Sequence, residues 1–581
     1  MIFFDMEVFT HDWLLVTFDG KDFTYIENDT KLLQQYYQDH KHDLWIGYNC
    51  KGYDQYIIKA LLLGINPKIV NDWIIKDGKA GWQFTNKFKD IELNIYDCMV
   101  FGKSLKQLES YLGVNIHETD VDFDIKRPLT EDEKKLNREY CRDDVYNTAL
   151  VFQHTQDDFK AHMGLCQLAG EPISSMAKTK AQLSAKILKA ERLNPSYWNE
   201  EYNFQYVQCV KDYDYKHKDV LAFFDSIRYT KDPKSKYDTE LYGVPHTFAL
   251  GGLHGAIENY FYDSEVDTDD ILLHIDVASF YPHIMTEWGL LSRAVPSVQT
   301  FVDIMDLRLK YKHEGNHLQA PLKICINGTY GQSGAGKYED GKYQVLSDLY
   351  DPVRMREVCI NGQLMLLQLI EDLSDYQLIQ SNTDGLIYKV PKTRVQDLKT
   401  IVSKWEQRTK MSMEYDYITW FIQKNVNNYI AVFDNGTIER KGCAVKKSST
   451  LDNDLPIVSD AVVEYFVNGV DPTEYIMKEN DMSRFMKTYK LSSKYSHAIY
   501  NGEVLTDKVY RVFASRSRKD GIVYKCKEDG KPEKFASCPN HAKIINGNIQ
   551  NMKVPNWLDR QWYVDETWKR INDFWGGDFN K

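Results

Sequence analysis

Ile271-Leu272-Leu273-His274-Ile275-Asp276-Val277-Ala278-Ser279-Phe280-Tyr281-Pro282 runs an apolar strand into an acidic residue and stops it at a turn closed by proline. An aspartate at the end of such a strand can serve simply as the N-cap of the next helix. On this segment alone both readings of Asp276 stay open. Downstream, residues 298–313 and 317–330 read as two short helices that turn at Glu314-Gly315-Asn316. Beyond them, residues 376–389 form a strand-turn-strand, with Ser381-Asn382-Thr383-Asp384-Gly385 at the tip between Gln377-Leu378-Ile379 and Leu386-Ile387-Tyr388. Asp270 thus opens an α/β region that presents two separated aspartates at strand ends.

Upstream, the first 150 or so residues alternate strand-like runs (2–9, 13–18, 91–96) with helical ones (54–63, 131–152), a second α/β pattern. A lysine-rich helical stretch over residues 174–192 reads as a connector. A chain of 581 residues is too long for one core, so several domains are expected. Its composition, 43% hydrophobic and 27% charged, is that of an ordinary globular protein. No run of about 18 apolar residues and no N-terminal leader is present, which excludes a membrane span and a secretory signal and implies a cytoplasmic protein. The ten cysteines include no CxxC pair, as suits reduced thiols. The nearest approach to a zinc set is Cys526, Cys538 and His541, at a spacing that matches no zinc motif. A net charge of −12 leaves room for a nucleic-acid enzyme whose cleft is locally basic and whose catalytic centres gather carboxylates.

Asp5 and Glu7 sit two apart in the strand over residues 2–9. Period two places them on one face, with Phe4, Met6 and Val8 on the other. Two carboxylates side by side repel and need a cation or a raised pKa. Asn49-Cys50-Lys51-Gly52-Tyr53-Asp54 adds a third at the start of a helix. Tyr140-Cys141-Arg142-Asp143-Asp144 places Tyr140 and Asp144 at i and i+4 on another. Four carboxylates and a tyrosine in this order are the parts of a hydrolytic site for two hard cations with oxygen ligands. In the helical hairpin, Arg308 and Lys312 are four apart on the first helix, while Lys323, Asn327 and Tyr330 form one stripe on the second. Such cations suit a triphosphate, with Arg binding as a fork and Lys as a point charge.

Over residues 1–155 these segments resemble the tyrosine-containing DEDD-type exonuclease domain that proofreads for DNA polymerases. Asp276-x-x-Ser279-Phe280-Tyr281-Pro282 resembles motif A of family B DNA polymerases, with Phe280 in the usual leucine position. Lys323-x-x-x-Asn327-x-x-Tyr330-Gly331 resembles motif B, and Arg308/Lys312 resembles the opposing fingers helix. Asn382-Thr383-Asp384-Gly385 occupies motif C, normally Asp-Thr-Asp-Ser, so Asn382 and Gly385 are departures. Gly251-Gly252 is similar to a linker motif that contacts template, and Tyr429 with Lys441 to the region that holds the primer end. Lys126 lies where some relatives carry a lysine near the scissile phosphate, though here it reads as a surface residue.

The resemblance implies a multidomain α/β and α+β fold: an RNase H-like exonuclease domain joined to a right hand of palm, short fingers and thumb. The expected partition is residues 1–185 for the exonuclease domain and connector, 186–297 for the linker and first part of the palm, 298–331 for the fingers, 332–450 for the palm and 451–581 for the thumb and C-terminal region. It further implies Mg2+ (or Mn2+), two ions per site, on Asp5, Glu7, Asp54 and Asp144 and on Asp276, Asp384 and the Val277 carbonyl. Tyr140 would orient the hydrolytic water. Backbone near Ser279 and Phe280 would meet the triphosphate, Lys323 would assist departure of pyrophosphate, and the ring of Tyr281 would exclude a 2′-hydroxyl. Primer–template DNA and dNTPs are the implied partners, accessory replication proteins are compatible, and a monomer is expected. A strand at residue 1 implies a compact, bacteriophage- or mobile-element-like enzyme working in host cytoplasm. Only 47 positions separate Asp276 from Lys323 and 61 separate Lys323 from Asp384, which leaves little room for the insertion of protein-primed relatives and favours extension from a nucleic-acid primer. The alternative is an exonuclease or nucleic-acid-binding protein whose polymerase site is inactive because of Asn382.

Overall fold

The alternation in Ile2-Phe3-Phe4-Asp5-Met6-Glu7-Val8 is realised as strand β1 (Ile2–Val8), whose Ile2, Phe4, Met6 and Val8 enter a core with Trp45, Ile57 and Ile95. The computed structural model describes residues 1–119, 121–193, 203–229, 234–339, 342–345, 347–528 and 530–576. The chain divides into two compact units, Met1–Lys178 with Lys447–Lys569, and Thr179–Lys446 with Arg570–Lys581.

In the first unit, β1, β2 (Trp13–Phe18), β3 (Phe23–Glu27), β4 (Leu44–Gly47) and β5 (Asn94–Asp97) form a sheet of order β3-β2-β1-β4-β5. β1 is antiparallel to β2 and parallel to β4, so it is central and its end is shared by both halves of the sheet. The helix Glu131–His154 lies against β1 and β2, started by a capping box in which Thr130 accepts from Glu133 N–H. β5 begins three residues later than the strand expected at 91–96, because a 3-10 turn at Asn86–Asp90 precedes it. Lys447–Lys569, nearly all of it from the stretch read as thumb and C-terminal region, packs into this same unit. Its Ile457, Phe485, Phe513 and Tyr563 share a core with Leu108, Tyr111 and Val151. Arg511, fully buried, ties the two segments: its guanidinium donates to the carbonyls of Glu109 (3.0 Å), Ser110 (3.1 Å), Val114 (2.7 Å) and Gly547 (2.8 Å). It thereby satisfies the C-terminal carbonyls of the helix Leu105–Leu112.

The stretch expected as one helical connector over residues 174–192 is instead a 3-10 turn, Ile173–Ala177, and a short helix, Lys180–Ile187. Thr179 N-caps that helix, which is why the two do not merge. The second unit is built on a ten-stranded sheet. Its strands are β6 (Lys236–Leu241), β7 (Val244–Ala249), β8 (Gly252–Ala256), β9 (Tyr260–Asp263) and β10 (Asp270–Val277), and, after a hairpin of β11 (Gly336–Glu339) and β12 (Lys342–Val345) outside the sheet, β13 (Gln377–Asn382), β14 (Gly385–Pro391), β15 (Met413–Asn425), β16 (Asn428–Phe433) and β17 (Ile438–Lys441). The order is β17-β16-β15-β10-β14-β13-β8-β7-β6, with β9 paired to β15. β10 is central, and Leu272, Leu273, Ile275 and Val277 are buried. The helix Pro352–Asp372 is buried along almost its whole length and touches β8 and the helix Phe280–Glu287. Close approach there needs Gly362, since a Cβ would lie 3.1 Å from Ile284 Cδ1 and 3.3 Å from the Phe280 ring. The helical hairpin is Val298–His313 and Gln319–Ser333.

Candidate functional site

Two carboxylate centres form, one in each unit. In the first, Asp5 and Glu7 lie on the face of β1 that turns away from the Phe4/Met6/Val8 core. Asp54 starts the helix Asp54–Leu62 and Asp144 comes from the helix Glu131–His154. Glu7, Asp54 and Asp144 are buried. Ligand atoms of Asp5, Glu7 and Cys141 lie within 4.8 Å of one another, and Cys141 Sγ is 3.7 Å from Asp5 Oδ2. Burial pushes Asp5 well above the carboxylate range, and the charges of Asp54 and Asp144 add to it. Glu7 is raised by burial and then by Asp5, Asp144 and Asp54. Asp54 is pushed up to about 7, by burial and by Asp97. Asp5 and Glu7, within ligand distance of each other beside Cys141, offer oxygen donors of the kind a hard divalent cation takes, and Asp54 and Asp144 add negative charge nearby. Tyr140 stands beside the cluster, its hydroxyl pKa raised by burial and by Asp144, Glu7 and Asp5.

The sequence reading missed Lys106. Its ammonium pairs with Asp144 and with Glu109 (3.2 Å), and lies 4.6 Å from the centre of the Tyr140 ring. Asn147 Nδ2 donates to Glu109 Oε1 at 3.0 Å, closing the network. The signal was present: Ser104-Leu105-Lys106-Gln107 is a capping box, and a lysine in the first turn of a helix opposes the helix dipole unless a carboxylate compensates it. Asp97, at the end of β5, was missed too. It accepts from Asn49 N–H (2.8 Å) and Lys51 N–H (3.1 Å), fixing the loop that delivers Asp54. Lys126 is exposed, its carbonyl accepting from His11 Nε2 at 3.1 Å.

In the second unit, Asp276 pairs with Gly385 on β14 and with Glu414 on β15. Val277 N–H donates to the Asp384 carbonyl at 3.0 Å, which brings the hairpin tip against the end of β10. Asp276 and Asp384 therefore meet. Asp276 is pushed up to about 7 by burial, then by Asp384, Glu414, Asp416 and Glu439. Asp384 is raised by desolvation at the turn, against the pull of His274 and Lys441. A cavity of about 200 Å³ opens here, lined among others by His274, Asp276, Asn382, Asp384 and Glu439. Asn382, which also lines this cavity, accepts at Oδ1 from His254 Nδ1 at 3.0 Å. Thr383 (φ 58°) takes the left-handed conformation at the tip, and Gly252 (φ 134°) makes room for it, since a Cβ there would lie 3.3 Å from Thr383 Oγ1.

Ser279 (φ 49°) also adopts left-handed backbone and turns the chain into the helix Phe280–Glu287. Tyr281 is then held between Phe280, stacked at 5.7 Å, and Tyr330 of the hairpin, at 4.2 Å. Tyr330 thus links the second hairpin helix to the turn after Asp276, while Lys323 and Asn327 on the same stripe are exposed and Arg308 is half-buried. Arg308 Nε is buried without a hydrogen-bond partner, and Lys312 is exposed. Gly251 is exposed with open space about it. Tyr429 is 6% exposed and donates its hydroxyl to Glu439 at 2.6 Å, with Lys441 over its ring at 5.7 Å. Among the described residues, Cys526, Cys538 and His541 do not assemble into a metal-ligand group.

No protein-family model matches the chain. No curated protein matches it either. Among solved structures it is similar to the family B DNA polymerase from the hyperthermophilic archaeon Pyrobaculum calidifontis, with a TM-score of 0.43 and 14% identity over 100% of this chain and 78% of that one. Among the described residues, no helix is long and apolar enough to cross a membrane.

Proposed function

We propose that this chain is a template-directed DNA polymerase of family B type with its own 3′→5′ proofreading exonuclease. The observation that carries this reading is the meeting of Asp276 and Asp384 at one end of the ten-stranded sheet, with Tyr281 clamped beside them by the helix that bears Lys323. The order β3-β2-β1-β4-β5 around Asp5 and Glu7 supports an RNase H-like exonuclease domain. Divalent ions on each pair of carboxylates would supply a deprotonated attacking oxygen and charge neutralisation at phosphorus.

The chain's own residues do the rest. Lys323, Arg308 and Lys312 would bind the triphosphate, with Lys323 placed to stabilise the charge that develops on pyrophosphate. The ring of Tyr281, fixed on both sides, would fill the space of a 2′-hydroxyl. In the exonuclease centre Asp5, Glu7, Asp54 and Asp144 would hold the ions, and Tyr140 would orient the attacking water. Asn382, bonded to His254, would stand beside the ligand pair rather than in it, so that the loss of the usual aspartate would remove charge without removing a ligand. The test is extension of an annealed DNA primer with and without dNTPs and Mg2+ or Mn2+, on matched and mismatched ends. Extension without any terminal protein and trimming of the mismatch are expected. Trimming without extension under either metal would replace this reading with that of an exonuclease carrying an inactive palm.

A further inference from the structure

The turn that carries Asp384 is strained. Thr383 (φ 58°) is a β-branched residue in left-handed backbone, a conformation that costs free energy and lasts only where the surroundings hold it. Backbone bonds hold it from both neighbouring strands. Thr383 N–H donates to the Leu253 carbonyl at 2.9 Å, Asp384 N–H to that of Asn382 at 2.7 Å, and Val277 N–H to that of Asp384 at 3.0 Å. A bond between side chains is added to these: His254 Nδ1 donates to Asn382 Oδ1 at 3.0 Å, across 128 positions of sequence. The two residues stand directly opposite in the pairing of β8 with β13, at the end of the ladder nearest the turn. Both are half-buried, so the bond is partly shielded from water. The backbone bonds would form with almost any residue at these positions, whereas this one needs an N–H donor on β8 facing an acceptor on β13.

We propose that His254 is a positioning residue for nucleotide addition: bonded to Asn382, it steadies the strained turn that presents Asp384 beside Asp276. It acts through the turn and not on the substrate. Asn382 gains a task by the same bond, as the acceptor that His254 needs. The inference rests on the polymerase reading for what Asp384 does, and on the strand pairing for how Asp384 is held.

The experiment compares His254→Leu, which removes the donor, with His254→Asn, whose amide nitrogen can stand nearly where Nδ1 stands. Hydrogen exchange of peptides spanning residues 378–388, read by mass spectrometry without DNA or metal, reports on the turn itself. The Thr383 and Asp384 amides should exchange about tenfold faster in His254→Leu and at close to the original rate in His254→Asn. Single-turnover dNTP addition to an annealed primer, in an Asp5→Ala/Glu7→Ala background, should slow about tenfold in His254→Leu, with dNTP and primer–template affinities within about twofold. His254→Asn should recover most of that rate. Asn382→Leu should match His254→Leu, and the two together should be no worse than either alone, because they break one bond. Circular dichroism melts identify variants that fail to fold, and His254→Asn keeps the comparison open if His254→Leu does. Unchanged exchange at the turn in His254→Leu, or a loss of addition that His254→Asn shares in full, overturns the proposal. The polymerase reading is judged apart: an unmodified protein with a protected turn that adds no nucleotide rejects that reading, whereas addition at full rate by His254→Leu rejects His254 alone.

Discussion

Lys106 shows how a single cation shapes a carboxylate centre. Its side chain is 13% exposed and that of Asp144 is 9% exposed, so the pair is shielded from solvent and cannot be dismissed as a weak surface contact. Lys106→Met should leave four crowded carboxylates uncompensated and cost about 3 kcal/mol of stability in EDTA, a loss that Mn2+ largely reverses. Denaturant titrations with and without metal would show this, and equal losses in both conditions would assign Lys106 a packing role. At Tyr281 the contacts to Phe280 and Tyr330 fix the ring itself. Tyr281→Ala should raise ribonucleotide incorporation by ten-fold or more on the scale of a lost steric barrier, about 1.4 kcal/mol per decade. Tyr281→Phe should change it little. Unaltered selectivity in the Ala variant would remove the sugar-gate role.

Strand β1 separates its two tasks by faces. Phe4, Met6 and Val8 hold it in the core, and Asp5 and Glu7 face the opposite way. Asp5→Ala with Glu7→Ala should therefore abolish removal of a mismatched 3′ end while the protein stays folded and nucleotide addition continues. A double variant that still trims would place the hydrolytic centre elsewhere. The helix Leu105–Leu112 depends on a distant segment in a way the strand does not. Arg511 binds its last carbonyls from a sequence distance of about four hundred residues, and burial lowers the guanidinium pKa to about 10. Arg511→Met should destabilise the protein by about 3 kcal/mol, since hydrogen bonds from a charged donor are lost inside the core. Because the same helix carries Lys106, exonuclease activity should fall with it. A thermal melt beside the trimming assay would separate the two effects.

Across the molecule, both centres bury carboxylates whose charge is costly, and protonation or a bound cation relieves that cost. Asp54 and Asp276 are each raised from 3.8 to about 7. A raised carboxylate stabilises the fold while protonated, fully below its unfolded value, and that contribution is lost as pH rises through the folded value. Between about pH 4 and pH 7 the metal-free protein should therefore lose stability from these groups. Bound divalent ions should restore it, so the melting temperature gained from Mn2+ over EDTA should be larger at pH 8 than at pH 5.5. Asp54→Asn and Asp276→Asn should each shrink the difference. A metal effect independent of pH would show that these carboxylates do not hold the ions.

The local features were legible in the sequence because they follow from short-range rules. Period two assigned the faces of β1, the apolar run ending at Asp276 marked a strand, and turn residues marked the tips at Glu314-Gly315-Asn316 and Asn382–Gly385. The order of acidic residues picked out carboxylates that the fold brings together, Asp5 with Glu7 and Asp276 with Asp384. What only the tertiary structure decided depends on contacts between distant segments. No local pattern says that Lys106 pairs with Asp144, that Asp97 fixes the loop before Asp54, or that residues 447–569 complete the core around Leu108. Nor could Asn382 and Gly385 be understood as letters in a motif. Asn382 is turned to His254 by the pairing of β13 with β8, and Gly385 is set by the ring of His274 across the pairing of β10 with β14. Strand register places those residues opposite one another, and register is fixed by the whole sheet rather than by any one strand.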